Sequence, residues 1–316
     1  MGVYSHINLE KINEILEHYD LGIAVDFSST MTGISNSNFK VILDSGRNIL
    51  LKVSNDKTIE QLLNEQQVLL ALEKHEFEYS LNPIKTLLGK PIYHHEDYYG
   101  VVFPFIDGAP PVITNDVCSK VGISLAKLHD LDIRKEDLEF IRPHEVVGFG
   151  SLDIIDYVNS DNAASDFIEG FKKVFPCGLK DIPYDLFPSG IIHGDLYFDN
   201  SLFKDGELVT LIDFEQSGTG RFILDLGIAL SGTCLNEAKD NLDKSFVVSF
   251  LKGYESIRSL KEIEKEYLDT AILVGFFSIA LWRIKRFYDG NLDSSKKYNY
   301  RELLNRAKSY KKSFID

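Results

Sequence analysis

Short alternating apolar runs open this chain and longer helical stripes follow. Ile12, Ile15, Leu16 and Tyr19 share one face of a predicted helix over residues 8–19, which Gly22 stops. Strands are expected over residues 24–30, 38–43 and 48–53, the last two joined by the turn Asp44-Ser-Gly-Arg47. A helix over residues 58–72 carries Leu62, Leu69 and Leu72 on one side, and residues 91–93 and 100–103 read as two further strands. This order predicts a small antiparallel sheet with a packed helix.

Beyond Pro104-Phe-Ile-Asp-Gly-Ala-Pro-Pro111 the pattern becomes helical, and the proline and glycine density marks a connector. Val117, Val121, Leu125 and Leu128 form a helical stripe ending at His129. The nearly apolar run over residues 271–282 is too short for a bilayer span of about 20 residues and reads as a buried helix. The expected organisation is α+β: an N-lobe over residues 1–103, a hinge over 104–111 and a mainly helical C-lobe over 112–316.

One non-helical interruption in the second part carries the chemistry. It reads Ile191-Ile-His-Gly-Asp-Leu-Tyr-Phe-Asp-Asn-Ser-Leu-Phe203, then Leu208-Val-Thr-Leu-Ile-Asp-Phe-Glu215. Asp195 and Asn200 stand five apart, as in the catalytic-loop pattern H-R-D-L-x-x-x-N. Lys204-Asp-Gly-Glu207 between apolar runs signals a tight hairpin, which would return Asp213 to the neighbourhood of Asn200. An amide oxygen and a carboxylate there suit a hard cation. Asp195 is then free to orient or deprotonate a hydroxyl. Taken alone, these acids are also common turn formers; the combined spacing favours phosphoryl transfer, which asks a protein mainly for positioning, Mg²⁺ and charge neutralisation.

Lys52 shares the strand over 48–53 with Ile49, Leu51 and Val53 but points to the opposite face. An edge-strand lysine that deters aggregation is the plain reading; beside the downstream motif, a phosphate-gripping role is favoured. Glu65 falls inside the Leu62–Leu69 stripe, where a carboxylate needs a counter-charge, and Lys52 is the candidate. The loop Thr32-Gly-Ile-Ser-Asn-Ser-Asn38 has a single glycine, but Gly33, Ser35 and Asn36 offer backbone and side-chain groups to cover phosphates.

Composition narrows the partners. Over 316 residues, 44% hydrophobic and 26% charged content is ordinary for a globular chain, and the length exceeds one typical domain. A net charge of −14 argues against nucleic acid and against an anionic membrane surface. The scattered Cys118, Cys177 and Cys234 form neither a disulfide framework nor a zinc spacing, and no signal peptide opens the chain, so a cytoplasmic location is expected.

These motifs resemble the aminoglycoside phosphotransferase and choline kinase superfamily. Its likeness extends through Leu125-Ala-Lys-Leu-His129, His193–Asn200, Ile212-Asp-Phe-Glu215 and Asp225-Leu-Gly227. The resemblance implies a protein-kinase-like bilobal fold, ATP and Mg²⁺ as cofactors, and a small-molecule hydroxyl acceptor such as an amino acid or amino alcohol. It also implies backbone contacts to adenine at Phe103, Phe105 and Ile106. Type II homoserine kinases are similar at Met1-Gly-Val-Tyr-Ser-His6, at Gly33-Ile-Ser-Asn-Ser-Asn-Phe39 and at Leu281-Trp-Arg-Ile-Lys-Arg-Phe-Tyr-Asp289. The chain departs from them in reading Asp213-Phe-Glu215 where they carry Asp-Phe-Tyr.

From the spacing and placement of the residues themselves, Asp195 is assigned as base, Asn200 and Asp213 as metal ligands, Lys52 as phosphate grip and Glu65 as its anchor. His193 and Asp225 are expected to brace the loop backbone. For homoserine, Arg283 and Arg286 near Trp282 are expected to clamp the carboxylate, and Glu215 and Tyr197 to meet the ammonium. A kinase of an aminoglycoside, choline or amino sugar is the alternative reading, and a silent nucleotide-binding protein is another. No Ala-Pro-Glu segment follows Asp213, which disfavours a protein kinase.

Overall fold

A computed structural model describes residues 7–30, 36–55, 57–144, 148–179, 182–290 and 293–316. The chain divides into two compact units, Met1–Glu76 with Ser80–Asp107, and Phe77–Tyr79 with Gly108–Asp316.

The first unit is built on α1 (Leu9–Leu16), β1 (Ala24–Ser29), β2 (Asn36–Leu43), β3 (Asn48–Ser54), α2 (Ile59–Lys74), β4 (Tyr93–His95) and β5 (Tyr98–Pro104). Asn8 caps α1 and Thr58 caps α2, each filling backbone donors that a helix start leaves open. The strands form one antiparallel sheet in the order β1-β2-β3-β5-β4. Against the predicted 91–93 and 100–103, β4 starts two residues later and β5 two residues earlier, because Tyr98 and Tyr99 pair with His95 and His94. Ile12, Ile15 and Leu16 of α1 join Val41, Leu43, Ile49, Leu51 and Val102 in one core.

The second unit starts with α3 (Asn115–His129), the single turn α4 (Lys135–Leu138), α5 (Ser151–Val158) and α6 (Ser165–Val174). Two hairpin-like pairs follow: β6 (Ser189–Ile192) with β9 (Gly218–Arg221), and β7 (Ser201–Lys204) with β8 (Glu207–Leu211). Asp205 and Gly206 make the β7–β8 turn with φ of 52° and 82°, the positive pair that a tight two-residue hairpin needs. Helices then resume as α7 (Phe222–Thr233), α8 (Lys244–Glu255), α9 (Glu262–Glu266), α10 (Leu268–Arg283) and α11 (Tyr300–Tyr310). The apolar run of α10 is buried from Ala271 to Leu281. Among the described residues no helix is long and apolar enough to cross a membrane.

Helices α7 and α10 cross with almost no room between backbones. A Cβ placed on Gly227 would stand 2.2 Å from the Ala271 carbonyl oxygen, and one on Gly275 would stand 2.8 Å from that of Gly227. Beside this crossing a buried polar chain ties four helices together. Arg258 donates to Glu264 at 2.9 Å and to the Tyr254 hydroxyl at 2.9 Å. Tyr254 lies 2.7 Å from His129 Nδ1, and His129 Nε2 lies 3.0 Å from Asp225. The Asp225 carboxylate only accepts, so Nε2 carries the imidazole proton and Nδ1 accepts from Tyr254.

Burial pushes His129 below its ordinary value, against the pull of Asp225. Burial alone would raise the Asp225 carboxyl, but hydrogen bonds from His129 and the Gly194 N–H hold it low. The folded chain therefore keeps His129 neutral, whereas the unfolded chain protonates it below pH ~6.5. Stability from this site is complete above that value and drains away as pH falls, with Asp225 adding a loss of the same sign at lower pH.

Two outcomes are expected. Gly227→Ala lowers stability by about 1–3 kcal/mol through overpacking, read as a fall in thermal midpoint. The wild-type midpoint drops between about pH 7.5 and 5.5, and His129→Asn starts lower but drops less; parallel slopes for the two proteins would contradict the assignment of His129.

Candidate active site

Strand β6 ends at Ile192, and the next two backbone N–H groups are held by one side chain. His193 and Gly194 each donate to an oxygen of Asp225 at 2.8 Å. His193 Nε2 faces the Ile212 carbonyl at 3.1 Å, and its Nδ1 accepts from the Asp195 N–H at 3.3 Å. A carbonyl only accepts, so the proton sits on Nε2. The ring rests on Phe214 with centroids 4.5 Å apart. His193 is thus a strut between the loop and the end of β8.

Asn200 is fixed through its nitrogen. Its Nδ2 donates to the Asp195 carbonyl at 2.7 Å, which leaves the amide oxygen directed away from that bond. The Ile212 N–H donates to the Asn200 carbonyl at 2.9 Å, so the β7–β8 hairpin brings Asp213 beside Asn200. Asp213 has φ 64° and ψ 57°, a left-handed conformation that aspartate tolerates better than most residues. An amide oxygen with its nitrogen occupied, next to a carboxylate, is a donor set suited to a divalent cation.

Asp195 is partly buried. Burial holds its carboxyl well above the ordinary range, the charges of Asp213, Glu215 and Asp199 push the same way, and a hydrogen bond from the Gln216 side chain opposes them. Tyr197 is pushed up to about 12 by burial, with Arg283 and Arg306 opposing and Asp195 adding to the shift. Burial also raises Asp199, against the charges of Arg283 and Lys239. Asp195 is therefore set among acids, whereas Tyr197 and Asp199 lie within reach of arginine charge.

Arg283, at the end of α10, donates to the Asn299 carbonyl at 3.0 Å and lies 3.2 Å from Glu302. Arg306 shares the same Glu302. Arg286 lies on a wider π-helical turn, Ile284–Asp289, and its guanidinium stacks 4.7 Å over Trp282. Thus the two arginines three apart in sequence diverge: Arg283 joins the Tyr197 and Asp199 neighbourhood, while Arg286 is engaged by the tryptophan.

In the first unit, Lys52 of β3 pairs across the sheet with Asn38 and Val101. Its ammonium lies 3.1 Å from Glu65, which α2 directs inward at 2% exposure. Lys57 approaches the other Glu65 oxygen at 3.5 Å, so two ammonium groups converge on one carboxylate. Asn36 opens β2 and is buried. Phe103 is buried within β5, and Phe105 and Ile106 lie half-buried just beyond the strand. Gly33 and Ser35 fall outside the described residues.

Lys57 and Gln216 escaped the sequence reading. Neither has a tell-tale spacing: Lys57 precedes a helix cap and Gln216 follows an acidic pair.

The phosphotransferase enzyme family profile matches residues 31–264. A homoserine kinase of Neisseria meningitidis serogroup B is 28% identical over 304 residues, covering 91% of this chain and 92% of that protein. Among solved structures, a microcompartment-associated aminopropanol kinase superposes with a TM-score of 0.71 at 17% identity, over 97% of this chain and 98% of the other. An amicoumacin kinase solved with AMP-PNP and Ca²⁺ gives 0.67 at 16% identity, over 95% and 93%. The α+β architecture is accordingly kinase-like. The loop geometry and the span of the match lead to one assignment: the chain belongs to the phosphotransferase enzyme family and transfers a phosphoryl group to an alcohol acceptor.

Proposed function

We propose that this enzyme uses ATP and Mg²⁺ to convert L-homoserine to O-phospho-L-homoserine. The observation that carries the reading is the set of Asp195, Asn200 and Asp213, drawn together by the Asp195–Asn200 bond and the β7–β8 hairpin. Asn200 and Asp213 would hold the Mg²⁺ ion, which offsets charge on the transferring phosphoryl group. Asp195 receives the acceptor hydroxyl and takes its proton as the oxygen attacks. Lys52, held by Glu65, grips the nucleotide phosphates, and backbone at Phe103, Phe105 and Ile106 meets adenine. Gly33, Ser35 and Asn36 belong to the loop that covers the phosphates.

The acceptor follows from charge. Homoserine carries an ammonium and a carboxylate besides its hydroxyl. Glu215 beside Asp195 suits the ammonium, and Arg283, close enough to shift Tyr197 and Asp199, suits the carboxylate. Arg286 supports that surface through Trp282. The homoserine kinase relative supports the same acceptor. An amino-alcohol acceptor is the second reading, favoured by the acids around Asp195, and it would leave Arg283 without a substrate role.

Asp195→Asn should lower kcat by roughly 100- to 10,000-fold while nucleotide binding, followed by titration with an ATP analogue, stays near wild type; a variant with full turnover would remove Asp195 from the base role. In an ADP-release assay with homoserine, choline, aminopropanol and an aminoglycoside, homoserine should give the highest kcat/KM. Arg283→Ala should raise the homoserine KM by about tenfold or more, as loss of a charge-assisted contact implies, with the ATP KM unchanged. An unaltered homoserine KM would favour the amino-alcohol reading.

A further inference from the structure

His144 takes no part in the roles above, yet it lies at the centre of the loop packing. Its ring is buried to 1% exposure. Thr219 of β9 donates to the Arg142 carbonyl at 3.0 Å, and Pro143 bridges Thr219, so the segment before the histidine lies along the β6–β9 pair. His144 Nδ1 is 2.8 Å from the Gln216 carbonyl oxygen and must donate to it. Nε2 is then a buried lone pair, with no hydrogen-bond partner among the described residues.

The ring is also gripped by two glycines. A Cβ on Gly148 would stand 2.1 Å from its Cε1. One on Gly194, the residue before Asp195, would stand 2.8 Å from Cε1 and 2.5 Å from the Gln216 carbonyl oxygen. Gly194 has φ +78°, so both its backbone angle and its free space call for glycine. A leucine would fill a similar volume without an orphaned nitrogen, whose burial costs about 1–3 kcal/mol. Only the Nδ1–H distinguishes the histidine favourably, and that proton goes to Gln216. The Gln216 side chain in turn pulls the Asp195 carboxyl down against the surrounding acids.

We propose that His144 is a positioning residue which, by holding the Gln216 carbonyl and packing on Gly194, sets the Asp195 carboxylate from both of its neighbours. His144 does not touch the acceptor or the nucleotide. Its effect is expected in turnover and not in ground-state binding, because a displaced base still leaves the substrate contacts intact. The inference rests on Asp195 as the base.

The test uses the full-length protein with the acceptor that gives the highest turnover in the panel above. His144→Leu should reduce kcat by roughly 10- to 100-fold and leave both KM values within a few-fold. His144→Asn, whose amide N–H can take the place of Nδ1–H, should recover most of that loss. Gln216→Met should lower kcat by a similar factor, and adding His144→Leu to it should cost less than the product of the two single losses, because the route through Gln216 is already gone. Wild-type kcat in a folded His144→Leu protein would overturn the proposal, as would additive losses in the double variant. If His144→Leu does not fold, the pair His144→Asn and Gln216→Met decides: equal kcat in both refutes it, and high kcat in the first with low kcat in the second upholds it. Full activity of Asp195→Asn would instead refute the base assignment, whatever the His144 variants do.

Discussion

A carboxylate with no exposed surface has to be saturated with donors or it destabilises the fold. Asp225 meets that condition by gathering the N–H groups of His193 and Gly194 and the imidazole of His129. The requirement runs in both directions. The carboxylate needs those donors, and the loop leading to Asp195 has no regular partner strand to fix its first two amides. One buried charge therefore sets the position from which Asp195, Asn200 and Asp213 are measured. The chain Glu264–Arg258–Tyr254–His129 extends the same anchoring into α8, α9 and α3.

The two units answer different electrostatic demands. In the first, Lys52 and Lys57 converge on Glu65, so cationic charge is kept nearly out of water by one acid. In the second, Asp213, Glu215 and Asp199 raise the cost of ionising Asp195 against a Gln216 hydrogen bond, while Arg283 and Lys239 oppose the burial that raises Asp199. Crowded acids are costly in isolation and become favourable when a metal ion or an ammonium arrives. The concentration of like charge is thus a stored preference for cationic ligands.

Sequence patterning carried much of this. Period-two and helical stripes located β1 to β3, α2 and α3 to within a few residues, and a continuous apolar run located α10, which is buried from Ala271 to Leu281. The Asp-Gly turn placed the β7–β8 hairpin, and the inward direction of Glu65 followed from its place in a leucine stripe. The β6–β9 pair was not legible: Gly218-Thr-Gly-Arg221 has no strand pattern, and its pairing is imposed by β6 and by the Arg142 segment. His144, Lys57 and Gln216 were equally silent, since each acts through contacts with residues distant in sequence or through a backbone carbonyl. The divergence of Arg283 and Arg286 came from a π-helical turn, which breaks the three-residue periodicity that would have put them side by side.

That last difference separates what a motif can specify from what it leaves open. The proposed reaction chemistry rests on groups close together in sequence, in the loop and hairpin over residues 193–213, so a short signature suffices for Asp195, Asn200 and Asp213. The acceptor proposed above rests instead on charges contributed by α10, by α11 and by the residue after Phe214, which meet only through tertiary packing. Glu215, two residues after Asp213, adds negative charge beside Asp195. A zwitterion suits such a surface if its ammonium lies toward Glu215 and its carboxylate toward Arg283. On the proposed reading, specificity is a balance of opposed charges near Asp195 and Asp199, so that a change at Glu215 or Arg283 alters the acceptor without altering the chemistry.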